Sequence, residues 1–262
     1  MTRTAPAVAA AALAVAAQIV YPLVDGAARD AVTVVVVLSL AAAAVAHACA
    51  VRGRAWAAVF VGVTAGLGLL SEVVGISTGF PFGCYDYAQG RIGPSAAGVP
   101  LLVPLAWTAG SYPVWCAVTH VAPRDRAAAR ATLAAVGIAA WDLYLDPQMV
   151  ADGQWTWCST RPSPPGLDPV PWTNYVGWLL VAAAIAATLT WFDRRSPAPE
   201  PDVAADAVPL ALFLWTWLGS ALAHAVFLPE LGWSALYGLV GMGAVGVPLL
   251  IRLSRAGTMA RC

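Results

Sequence analysis

The sequence contains no lysine. All 14 of its basic residues are arginine, they are balanced by 14 carboxylates, and charged residues make up only 11% of the 262 positions. A net charge of zero, with no basic stripe or tail, argues against a nucleic-acid partner. So little charge beside 60% hydrophobic residues excludes an ordinary soluble domain and describes a polytopic membrane protein. Histidine is scarce too. His47, His120 and His224 stand alone in apolar segments, a pattern of core or interfacial histidines rather than metal ligands. Cysteine pairs spaced CxxC are absent. Cys49 and Cys116 sit in apolar runs and read as small buried thiols. Cys84 and Cys158 fall in separate loops, where a disulfide is geometrically open but sequence does not give connectivity. The alanine, valine, glycine and arginine excess carries no functional meaning by itself, and no internal repeat is evident.

What the chain does have is long apolar runs. A membrane span needs about 20 predominantly apolar residues, and eight segments qualify: 5–24, 31–51, 55–76, 100–121, 130–150, 173–192, 207–228 and 231–252. The first follows Arg3, but it is long for a signal-peptide core and reads as an uncleaved span. With the N-terminus in the cytoplasm, eleven arginines fall inside and three outside, namely Arg29, Arg91 and Arg161. The expectation is an all-α polytopic membrane helix bundle forming one integral membrane domain over 1–262. It has about eight transmembrane helices, both termini are cytoplasmic, and it sits in a prokaryotic plasma membrane. Two Gly-, Pro- and aromatic-rich loops, 77–99 and 151–172, then lie on the outer face and are expected to pack as caps. The charged, Pro-rich stretch 194–202 reads as a cytoplasmic linker.

Acids inside spans cost about 2.5–3.5 kcal/mol each on insertion scales and are functional candidates by default. Glu72, Asp142 and Asp146 are three such acids. At 1.5 Å per residue they lie roughly 25, 18 and 24 Å from the cytoplasmic entry of their helices, all in the outer third of the bilayer. Asp142 and Asp146 are four apart and share a helix face. Pro147, next in sequence, either loosens the helix or kinks a span that continues. The outer loops supply Tyr85, Asp86 and Tyr87, and Trp155 and Trp157, at the same level. The structural alternatives are specific. The aromatics can be interfacial belt residues, an acid can pair with Arg91 or Arg161, and Asp86 can be a solvated turn residue. Thr173 reads as a helix N-cap, and Asn174 as either a cap or a group that orients water. Trp215 and Trp217, mid-span with no acid near them, read as packing or lipid contact.

Paired carboxylates in a partly dry site suit acid–base chemistry, and aromatic faces stabilise a cation. Together they fit protonation of an alkene followed by capture of the carbocation by water.

The strings GFPFGCYDYAQGRIGPSAAGVPLLVPLAW (79–107), WDLYLDPQMVADGQWTW (141–157) and VPWTNYVGWLL (170–180) resemble the signature of the carotenoid 1,2-hydratase family of integral membrane proteins. The motifs recur in order over about 70–180, and the flanking helices are similar only in hydropathy. The resemblance implies a hydro-lyase that adds water to a terminal double bond of an acyclic carotenoid, giving a tertiary alcohol. It implies no redox cofactor or metal. The partners are the carotenoid in the bilayer and water, and a complex with other membrane enzymes of the pathway is a further candidate. The residues themselves suggest catalytic roles for Asp142, Asp146 and Glu72. They suggest substrate contacts for Tyr85, Asp86, Tyr87, Trp155, Trp157 and Asn174. Three other readings stand beside this one: a non-catalytic carotenoid-binding protein, a carotenoid cyclase or isomerase working through the same cation, and a proton-coupled transporter. The transporter would carry inverted repeats and broken helices near the midplane.

Overall fold

A computed structural model describes residues 3–195 and 200–259. The expected linker at 194–202 therefore falls partly outside the described residues, as do Arg261 and Cys262. The long helices are α1 (Ala5–Val20), α2 (Gly26–Val51), α3 (Arg54–Thr78), α4 (Leu102–Val121), α5 (Ala127–Ala151), α6 (Trp172–Arg195), α7 (Ala207–Phe227) and α8 (Gly232–Met259). The joints are sharp where the sequence supplies glycine. Gly53 turns α2 into α3 at φ +94°, and Gly79 ends α3 in the left-handed conformation. Within α7, two stretches widen to π turns, Trp215–Gly219 and Ala223–Phe227.

Among the described residues six helices are long and apolar enough to cross a membrane: Ala5–Leu23, Gly26–Val51, Arg54–Thr78, Trp172–Arg195, Ala207–Phe227 and Pro229–Arg255. The molecule is a helical membrane protein. Of the eight segments expected from hydropathy, α4 and α5 are the two that are less apolar. The reason lies in their position. α4 packs against α2, α3, α5, α7 and α8, and α5 packs against α4, α6 and α8. Helices enclosed by others need no apolar face for lipid, so α4 and α5 can carry many buried polar residues: Thr108, Ser111, Tyr112, His120, Arg130, Asp142 and Asp146 are all buried on them.

The all-α expectation omits two short ribbons. β1 (Tyr85–Tyr87) pairs antiparallel with β4 (Trp155–Trp157), with Tyr85 opposite Trp157, Asp86 opposite Thr156 and Tyr87 opposite Trp155. β2 (Ser95–Ala96) and β3 (Val99–Pro100) form a second hairpin. The first ribbon joins the two loops expected to act as caps. Cys84 and Cys158, one residue beyond its end, are disulfide-bonded with their Cα atoms 5.4 Å apart. The ribbon is also tied to the start of α2. Arg91 binds Asp30 at 2.7 and 3.0 Å, Gln154 donates to Asp30 at 2.5 Å, and Arg29 pairs with Asp152 at 2.7 Å.

Candidate active site

Beneath this ribbon lie the three acids Glu72, Asp142 and Asp146. Glu72 is on the inner face of α3. One turn earlier is Gly68, where a Cβ would stand 2.6 Å from the Trp107 ring. Its bare backbone lets the indole lie against α3, and Trp107 Nε1 donates to Glu72 Oε1 at 3.3 Å. On the other side of Glu72, a Cβ at Gly75 would meet the Tyr85 hydroxyl at 2.9 Å. Through that gap Tyr85 donates to Glu72 Oε2, and Tyr87 donates to the same oxygen at 2.8 Å. Burial, reinforced by the Glu72 carboxylate, holds both phenols above their ordinary range, so both stay protonated as donors. Glu72 thus receives three neutral donors and no cation.

Asp142 and Asp146 lie one turn apart on the face of α5 that meets α6. Asn174, in the first turn of α6, donates through Nδ2 to Asp142 Oδ2 at 2.9 Å and to Asp146 Oδ2. Trp155 Nε1 donates to Asp146 Oδ1 at 3.1 Å. The positive end of the α6 dipole faces the same pair. One carboxylate oxygen of the six is without a donor: Asp142 Oδ1, buried beside the Asp146 carboxyl. Arg91 and Arg161 pair elsewhere, with Asp30 and Asp168, so neither expected cation reaches these acids.

Glu72 and Asp146 both line a cavity of about 180 Å³, as do Tyr85, Tyr87, Trp155, Trp157 and Asn174. Asp142 sits behind Asp146, off the cavity wall and fully buried. Asp86 falls outside the site. The pleat that turns Tyr85 and Tyr87 inward turns Asp86 outward, where it is exposed opposite Thr156. The cap reading of Thr173 also gives way. Thr173 lies within α6, and its hydroxyl donates to the Phe82 carbonyl at 3.1 Å, as does Trp157 Nε1 at 3.1 Å, so both hold the loop down over the site.

Several lining residues received no role from sequence. Trp107 and Trp178 stack with their rings 3.9 Å apart, and Trp141 meets Trp178 edge-on at 5.9 Å. All three lie in the strings 79–107, 141–157 and 170–180, and their place in those motifs was the available signal. Trp217 is a packing residue, its Nε1 bound to the Leu239 carbonyl at 2.8 Å, whereas Trp215, bound through Nε1 to Gln18 at 2.8 Å, lines the cavity, which the packing-or-lipid reading did not foresee. His47 and His120 do not line the cavity and belong to a buried network, bonded to Tyr112 at 2.8 Å and Asp206 at 2.9 Å.

The arrangement offers a carboxyl pair that can hold a proton between two acids, a fixed carboxylate across the cavity, and walls of aromatic carbon. Proton delivery to an apolar ligand and stabilisation of a cation are within its reach.

Comparison with known proteins points the same way. The family described as carotenoid biosynthesis protein matches residues 31–245, an interval holding every residue of the site. A stretch of 129 residues is 33% identical to a bisanhydrobacterioruberin hydratase of Haloarcula japonica. That stretch covers 47% of this chain and 41% of the hydratase, so the chain spans less than half the length of this relative. No solved structure matches the chain. By a match running through α2 to α8 and enclosing the carboxylate cavity, the chain belongs to the carotenoid biosynthesis protein family.

Proposed function

We propose that the protein is a carotenoid hydratase, adding water across a terminal carbon–carbon double bond of an acyclic carotenoid end to give a tertiary alcohol. The observation that carries this reading is the bridging of Asp142 and Asp146 by Asn174 at the edge of a cavity walled by tryptophan and tyrosine. The name of the Haloarcula relative supports it.

In this mechanism the Asp142–Asp146 pair holds one proton. Asp146, on the cavity wall, delivers it to the secondary alkene carbon, and Asp142 behind it replenishes Asp146. The π electrons form the new C–H bond and leave a tertiary cation, which the faces of Trp155, Trp157 and Tyr85 shield. Glu72, fixed by its three donors, turns its carboxyl oxygens toward the positive charge. Water attacks the cation through its oxygen, and the proton it sheds goes to the carboxylates, so none is consumed overall. A binding protein would need the aromatic walls but not the carboxyl pair.

The same reading has eight helices crossing the plasma membrane, with both termini in the cytoplasm. The arginine distribution supports it, and so does the Cys84–Cys158 disulfide, which suits an oxidising outer face. Water then reaches the site from the outer surface while the polyene stays in lipid. The decisive experiment is expression in a host that makes lycopene, followed by mass spectrometry of the extracted pigments. Gain of one water supports hydration. Pigment that is altered but unchanged in mass indicates a cyclase or isomerase, and bound, unaltered pigment indicates a carrier.

A further inference from the structure

The cavity has a second polar flank that this mechanism leaves unused. Asp146 and Gln148 both line it from α5. Two residues apart at 3.6 per turn, their side chains leave the helix about 160° apart. Trp141, Leu145 and Met149 occupy the arc between them and line the same cavity. An apolar strip therefore separates the acid from Gln148.

Gln148 is held by a relay. Its amide lies 2.9 Å from His224 Nε2, and His224 Nδ1 lies 2.9 Å from Ser234 Oγ. Ser234 donates to the Leu143 carbonyl at 2.5 Å. That carbonyl is open because Pro147, four residues on, has no N–H to give it. His224 is wholly buried in the second π turn of α7, and the Tyr144 ring meets it edge-on at 5.3 Å. Such turns recur at functional sites.

The directions of these bonds follow from the donors. The Ser234 hydrogen goes to Leu143, so Ser234 Oγ accepts from His224 Nδ1–H. With Gln148 Oε1 toward the ring, both partners of the imidazole would be acceptors, a demand only a buried imidazolium without a counter-ion meets, at high cost. A half-turn of the amide, identical in shape, presents its NH₂ to a neutral Nε2 instead. The Gln148 carbonyl then faces the cavity as a fixed acceptor for an O–H group.

We infer that Gln148, positioned by His224 and Ser234, holds the water that is added, on the flank of the cavity opposite the acid. The inference rests on the hydratase reading. Asp146 breaks its O–H bond as the alkene forms C–H, the water held by Gln148 forms the C–O bond, and the carboxyl pair recovers the proton that the oxonium sheds. Gln148 orients the water and neither gains nor loses a proton.

The test uses the full chain reconstituted in lipid vesicles with lycopene. Gln148→Met keeps the bulk and removes the acceptor, while Gln148→Glu keeps an acceptor oxygen. The expected result for Gln148→Met is a fall in kcat of about tenfold, with KM and pigment affinity, read by tryptophan quenching, unchanged. Gln148→Glu should recover part of the lost rate. An unchanged kcat in Gln148→Met overturns the proposal. So does a parallel loss of pigment affinity, which would assign Gln148 to the polyene. Weakened inhibition by the alcohol product at unchanged kcat would assign this flank to a carotenoid hydroxyl rather than water, and also overturns it. A wild type that never adds water to lycopene removes the hydratase reading and this proposal together. A wild type that hydrates beside an unimpaired Gln148→Met removes this proposal alone.

Discussion

Asp142 and Asp146 are bridged by a single amide nitrogen, Asn174 Nδ2, which reaches an oxygen of each. Among the described residues no arginine pairs with either. Two acids held this way, one on the cavity wall and one behind it, form a unit whose members are not interchangeable.

Their working as one unit gives the first prediction. Changing either Asp to Asn should reduce hydration of lycopene at least about a hundredfold, the usual worth of one positioned acid–base group. The protein should still insert and still bind pigment. Normal turnover in both variants would remove the pair from the mechanism.

Asn174→Leu tests the bridge itself. Without the amide, two buried acids lose their common donor, and turnover should fall at least about tenfold, with a loss of roughly 1–3 kcal/mol in stability. Thermal unfolding in detergent and pigment mass together read this out. A variant that melts and reacts like wild type would show that the bridge is dispensable.

Glu72 makes a different demand. Tyr87→Phe leaves Tyr85 as the one donor to Oε2, and stability should drop by about 1–3 kcal/mol. Glu72→Gln puts an NH₂ among three donors that need an acceptor, and should lower turnover more than Tyr87→Phe does. The reverse order of the two variants would count against Glu72 as the acceptor at the centre of this cluster.

Gly68 is predicted to tolerate no side chain. A Cβ there stands 2.6 Å from the Trp107 ring, so Gly68→Val should cost about 1–3 kcal/mol and separate Trp107 from Glu72. Melting temperature and activity should fall together, and a variant as stable as wild type would show that the α3–α4 seam can open.

The disulfide spans a sequence separation of 74 residues, for which chain-entropy reasoning gives roughly 4 kcal/mol. Changing Cys84 and Cys158 together to Ser should lower the melting temperature and expose the 77–99 and 151–172 loops to protease, with loss of turnover as the ribbon lifts. Unchanged protease resistance would mean that Arg91, Asp30 and Gln154 hold the cap without it.

The sequence by itself determined the membrane character, the helix positions and the common face of Asp142 and Asp146. Each of these follows from short-range periodicity: apolar run length for a span, and a separation of four residues for one side of a helix. Its motifs also marked the loops that cover the acids. Tertiary structure alone decided which groups touch. Asp86 lies outside because strand register, set by pairing with a loop some 70 residues away, fixes which way a pleat points. Pairing of Cys84 with Cys158 was open for the same reason. α4 and α5 are enclosed by other helices, so hydropathy, which reports contact with lipid, said less about them than about the outer helices. His224 and Gln148, 76 residues apart, meet only because Pro147 leaves a carbonyl free and α7 widens into a π turn beside it. Those are properties of packed backbone, and no local pattern of residues encodes them.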